Sequence, residues 1–171
     1  LTIASYPAGY NSLQSHIFLV PNGGNDTSVD WNAASVMALD IRDQADGSAA
    51  AVLRYKTNHT SANASDYRPA TLVCPSGVLG TWSMTFVNAT NVTVTAPNGA
   101  STNFALPEAA AMEFYNPLSV YFGNQQNGAG NAGKAATYSR AKITGVTQSP
   151  EIDETFAGPD LNPDPMNARW R

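Results

Sequence analysis

The sequence predicts an all-β protein: two antiparallel sheets packed as a sandwich of the jelly-roll kind, with one short helix near residues 107–115. Three observations carry that expectation. Trp82, Met84 and Phe86 alternate with polar residues, Asn88-Ala89-Thr90-Asn91 interrupts, and Val92 and Val94 resume the alternation, which is the pattern of a hairpin with one buried face. Turn signals such as Pro21-Asn22-Gly23-Gly24, Asp46-Gly47 and Asn98-Gly99 recur between runs of this type, where positive backbone φ angles are needed. Helix-forming composition is confined to one stretch.

Taken in chain order, residues 15–20 read as a strand that stops at Pro21, and a polar loop follows. Residues 36–42 and 49–56 flank a loop whose Asp46-Gly47 suits a hairpin turn. Met37, Leu39 and Ile41 fall on one side of the first strand, and Val36, Ala38 and Asp40 on the other. Residues 57–69 are rich in Asn, Ser, Thr and Asp without hydrophobic period, so they predict a long exposed loop of the kind that often binds ligands.

After the 82–94 hairpin, Asn98-Gly99 turns the chain into a strand over 101–106. Pro107 then suits a first helical turn, Glu108 favours the positive end of the helix dipole, and the following Ala, Met and Glu residues are good helix formers up to Asn116-Pro117. Residues 118–123 and 136–144 read as strands bracketing a Gly/Asn/Ala loop at 124–133. The total is about eight to ten short strands, as expected for two packed antiparallel sheets. No internal repeat suggests a propeller or solenoid.

The 171 residues suit one domain. We divide them into a β-sandwich over 1–149 and a Pro-rich C-terminal tail over 150–171. Charged residues make up 13% of the chain, about half the usual share of a soluble domain, and the net charge is −4. An acidic chain without a clustered basic face points away from nucleic acid, and no apolar run approaches the ~20 residues that span a bilayer. The start at Leu1 suggests a processed or excised piece of something longer.

Cys74, the lone cysteine, leaves no internal disulfide and reads as a small buried hydrophobe. Asn25, Asn58, Asn63, Asn88 and Asn91 open Asn-x-Ser/Thr sequons, weak motifs in a chain of this composition. Low charge, abundant Asn, Thr and Gly and a single cysteine together suggest an extracellular bacterial β-protein.

The order of strands, the segment Tyr138-x-Arg140-x-Lys142-Ile143, and the closing Ile152-Asp153-Glu154-Thr155-Phe156-Ala157-Gly158 with Leu161 and Trp170 resemble concanavalin A-like jelly rolls, a group that includes laminin-G-like and family 16 glycosidase-like sandwiches. The stretch from Gly80 to Gly145 is similar to uncharacterised secreted bacterial proteins with this sandwich. The likeness covers roughly the second half of the chain and implies the jelly roll, not an activity. One departure stands out: the Asp/Phe/Gly, Leu and Trp pattern commonly opens such a domain, whereas here it closes the chain. The tail therefore either begins a missing next domain, returns to its own sheet, or pairs with a neighbouring copy by strand addition.

No catalytic signature accompanies the resemblance. The Glu-x-Asp-x-x-Glu strand pattern of family 16 hydrolases is absent, and Glu108 and Glu113 fall on different faces of the predicted helix. His16 and His59 lack a nucleophile elbow. The resemblance implies a structural calcium ion, for which Asp153, Asp160 and Asp164 are the candidate ligands, with Asp26 and Asp30 as a second oxygen set.

Glycan binding calls for aromatic platforms flanked by polar groups. Strict alternation puts Tyr138, Arg140 and Lys142 on one strand face, near Tyr121, with Tyr67, Trp31 and Tyr115 near loops. The expectation is a non-catalytic extracellular carbohydrate-binding or cell adhesion module, with Tyr121, Tyr138, Arg140, Lys142 and Tyr67 as contacts. The alternative is a self-assembling subunit of an extracellular filament or surface layer, joined to copies of itself through Ile152, Phe156, Leu161 and Trp170. A glycan hydrolase fragment is the third reading.

Overall fold

A computed structural model describes residues 1–7, 13–20, 36–56, 71–106, 119–126, 134–144 and 152–155. Every described element is a β-strand. They are β1 Thr2–Ser5, β2 Leu13–Val20, β3 Val36–Asp43, β4 Ala49–Lys56, β5 Thr71–Cys74, β6 Gly80–Thr81, β7 Ser83–Asn88, β8 Asn91–Thr95, β9 Ser101–Ala105, β10 Ser119–Gln126, β11 Thr137–Ile143 and β12 Ile152–Thr155. All pairings are antiparallel, in three sheets of order β12-β11-β1-β6, β10-β2-β3-β4-β5 and β7-β8-β9. The helix expected over 107–115 and the loop over 57–69 lie outside the described residues.

In the five-stranded sheet, register follows the hydrophobic pattern. Leu19 faces Met37 and Met37 faces Tyr55, Leu39 faces Leu53, and Ile41 faces Ala51, which faces Leu72. These side chains are buried and share one core. The opposite side of β3 and β4 is also covered, since Ala38, Asp40, Ala50 and Val52 are buried. The β3–β4 hairpin closes on Asp46-Gly47 as expected. Gly47 takes φ +83°, which an L side chain resists, and Asp46 Oδ1 accepts hydrogen bonds from the Ser48 amide (3.0 Å) and hydroxyl (2.7 Å).

The predicted 82–94 hairpin is present as β7–β8, extended by β9. Its inner rows are Phe86–Val92–Phe104 and Met84–Val94–Thr102, with Val92, Val94 and Phe104 buried. Val87 is an extra residue between the Phe86–Val92 and Asn88–Asn91 pairs, and this bulge leaves it exposed. Trp82 is fully buried just before β7, and its indole N–H donates to the Val78 carbonyl at 2.8 Å. That bond satisfies the one polar atom of the largest core side chain. Inward side chains of all three sheets, among them Ile3, Leu39 and Val94, enter the same core.

Candidate functional site

The pairing of β1 with β11 is irregular in a way that decides which side chains reach the surface. Thr2 faces Arg140 and Ile3 faces Tyr138, so Ser139 is an extra residue on β11. Ser5 then faces Thr137, so Ala4 is the extra residue on β1. Each extra residue reverses the facing of everything beyond it. Ala141 is buried and Arg140 exposed, but past Ser139 the inward positions pass to Tyr138 and to buried Ala136. Past Ala4 the inward position passes to Tyr6, and both tyrosines pack against the core.

The shared face expected for Tyr138, Arg140 and Lys142 is therefore corrected: Arg140 and Lys142 are exposed, whereas Tyr138 turns inward. Its ring meets Phe122 edge to face, with centroids 6.2 Å apart. Its hydroxyl donates to the Gly123 carbonyl at 2.7 Å and lies within 2.8 Å of Asn124 Oδ1 and 3.2 Å of Ser15 Oγ. Asn124 in turn donates to the Ala136 carbonyl at 3.1 Å, so this polar cluster ties the four-stranded sheet to the five-stranded one.

Burial pushes the Tyr138 phenol up to about 12, against the opposing effect of its hydrogen bond with Ser15. Burial, and then the Asp43 carboxylate, raise Tyr6 as well. Asp43 is itself raised by desolvation, and its Oδ1 is buried without a hydrogen-bond partner. Both phenols are neutral hydrogen-bonding groups at physiological pH.

The outer face of the four-stranded sheet carries a row that alternation within single strands did not reveal. Thr81 faces Thr2, Thr2 faces Arg140, and Arg140 faces Thr155. Thr81, Arg140 and Thr155 are exposed, and the Thr2 and Thr81 hydroxyls are hydrogen-bonded at 2.9 Å. Lys142, also exposed, sits one row along, opposite Asp153. Ser5 and Thr137 extend the face with a hydroxyl pair at 2.7 Å. The exposed positions of this face thus carry a guanidinium, an ammonium and several hydroxyls.

On the covered outer side of β3 and β4, Asp40 forms an ion pair with Arg54, and both side chains are largely buried. His16 occupies the register position opposite Asp40. The spacing within the β3–β4 hairpin already makes Asp40 and Arg54 diagonal neighbours, so this pair was open to sequence reasoning once the turn was recognised.

Of the other predicted contacts, Tyr121 lies in β10 opposite Phe18, and Tyr67 lies outside the described residues. Ile152 pairs with Ile143 inside the chain's own sheet, while Phe156, Leu161 and Trp170 lie outside the described residues. The same is true of Asp160 and Asp164. Asp153 occupies the register position opposite Lys142, and no cluster of three His, Cys, Asp or Glu suited to a metal occurs among the described residues. The expected calcium ligands therefore lie mostly outside the described residues. No helix among them is long and apolar enough to cross a membrane.

No protein-family model, curated protein or solved structure matches the chain.

Proposed function

We propose that this chain is a non-catalytic extracellular module that binds a carbohydrate through the outer face of the four-stranded sheet. The observation that carries the reading is the row Thr81–Thr2–Arg140–Thr155 with Lys142 beside it. Sugars present closely spaced hydroxyls, and an Arg fork flanked by Thr hydroxyls matches them with both donors and acceptors. We further place the three sheets in one jelly-roll sandwich, because their inward side chains share a single core. The sparse charge supports an extracellular setting.

The test is a glycan array probed with the purified chain. Discrete signals are expected, with at least a tenfold loss in the Arg140→Ala/Lys142→Ala double variant. Hydrolysis of a β-glucan by the purified chain, or no signal on any glycan, overturns the reading.

A second reading is assembly with further copies through the tail. It draws on one observation: β12 is a four-residue edge strand paired to β11, and the same ladder made between copies would join subunits. Deleting residues 151–171 would then convert an oligomer into a monomer in sedimentation velocity. A full-length chain that is already monomeric removes this alternative.

A further inference from the structure

No Asp, Glu, Lys, Arg or His occurs between Arg68 and Glu108, although the chain has 22 charged residues elsewhere, 9 basic and 13 acidic. That interval contains β5 to β9, including the whole β7-β8-β9 sheet. Antiparallel sheets usually carry charges on their solvated side, and edge strands above all carry Lys as protection against unwanted pairing. Here the solvated side of β7, β8 and β9 is a neutral grid. Its rows are Ser83–Thr95–Ser101 and Thr85–Thr93–Asn103.

Thr85, Ser101 and Asn103 are exposed, and Ser83, Thr93 and Thr95 are half-buried. Asn103 is held in place on the face: it donates to Asn91 Oδ1 at 3.1 Å and accepts from the Thr93 hydroxyl at 3.4 Å. Hydroxyl and amide groups therefore repeat about every 4.8 Å across the strands and about every 7 Å along them, spacings fixed by the β-ladder itself. The six grid positions hold no aromatic ring, so a single sugar chain in solution finds no stacking platform on them. What the face offers is many weak, regularly spaced and uncharged hydrogen bonds.

We propose that the outer face of β7-β8-β9 docks onto the surface of an ordered, uncharged polysaccharide. Such a solid presents repeating hydroxyls without charge, so neither partner has to desolvate an ion on contact. The ligand class rests on the glycan-binding reading, but the face is a different one from the Arg140 row.

The experiment is a pull-down of the full chain with microcrystalline cellulose and with chitin powder, read as the bound fraction. Wild-type protein is expected to bind at least one solid, equally at 0.1 M and at about 1 M NaCl, where screening acts within roughly 3 Å. Thr85→Val/Thr93→Val removes two hydroxyls in residues that favour strands, and its bound fraction should fall at least fivefold with an unchanged melting curve. Thr85→Lys is a second, exposed variant that introduces a charge and should also lose binding.

Equal binding by wild type and by both grid variants overturns the proposal. So does a wild type that binds neither solid, and the glycan reading then still stands if the array signal depends on Arg140. Concentration-dependent self-association lost in the grid variants, without binding to either solid, assigns the face to a second copy and overturns the proposal as well.

Discussion

Ile3 and Tyr138 face each other across β1 and β11, one residue away from the register that the adjacent Thr2–Arg140 pair would impose on a regular ladder. The extra residue, Ser139, brings the Tyr138 hydroxyl to Gly123, Asn124 and Ser15 on the other sheet. Replacing Tyr138 by Phe keeps the ring packing and removes the donor, which leaves the Gly123 carbonyl without that bond in a partly buried site. The expected cost is about 1–3 kcal/mol in urea unfolding. A Tyr138→Phe variant as stable as wild type would show that the cluster adds nothing to the joining of the sheets.

The same burial makes stability depend on alkaline pH. The folded chain holds the Tyr138 proton up to about 12, compared with an ordinary tyrosine near 10, and Tyr6 shifts in the same direction. A raised acid pKa means the folded state binds its proton more tightly. The contribution is complete below pH 10 and is lost as pH climbs from about 10 through 12. Urea midpoints at pH 9, 10, 11 and 12 should decline over that interval, more shallowly in Tyr138→Phe. Phenolate absorbance of the folded chain should show Tyr138 and Tyr6 titrating late.

How far the sequence disclosed this architecture depended on distance along the chain. The β7–β8 hairpin was legible because its strands alternate with period two, and the β3–β4 hairpin because two largely apolar runs flank Asp46-Gly47. β1, β5 and β6 were not, since strands of two to four residues have too few positions to show a period. β10 runs on to Gln126 through polar residues that read as loop, because its register comes from β2, far away in sequence. The inward turn of Tyr138 was hidden for a similar reason: a bulge is a property of two paired strands, and β11 alone gives no sign of it. The Thr81–Thr2–Arg140–Thr155 row spans four strands and becomes visible only with the full pairing.

Gly80 offers a test of how closely β6 is packed against Pro97. Its φ is +116°, and a Cβ there would stand 2.7 Å from Pro97 Cβ, a rigid ring that cannot swing away. Gly80→Ala combines backbone strain with this clash and should destabilise by about 2–4 kcal/mol. The neighbouring Trp82 would be displaced, so its fluorescence should shift to the red in the folded variant. Gly47→Ala, with open space around a residue that also has positive φ, should show the strain alone, about 1 kcal/mol.

Asp43 is a site where removing a charge should help. Desolvation raises its carboxyl above the ordinary value, and its buried Oδ1 has no hydrogen-bond partner. For an acid raised by folding, stability is greatest where the group is protonated and falls as pH rises from about 4 through the folded pKa. Asp43→Asn should thus be more stable than wild type at pH 7, by less than about 1 kcal/mol because solvent screens a carboxylate that is only partly covered. The difference should vanish near pH 3, where the wild-type carboxyl is neutral too. The Asp43 carboxylate also raises Tyr6, so in the variant Tyr6 should titrate earlier while Tyr138 stays in place. A variant that is less stable at pH 7, with Tyr6 and Tyr138 unmoved, would mean that Asp43 is held by a favourable partner and not by burial alone.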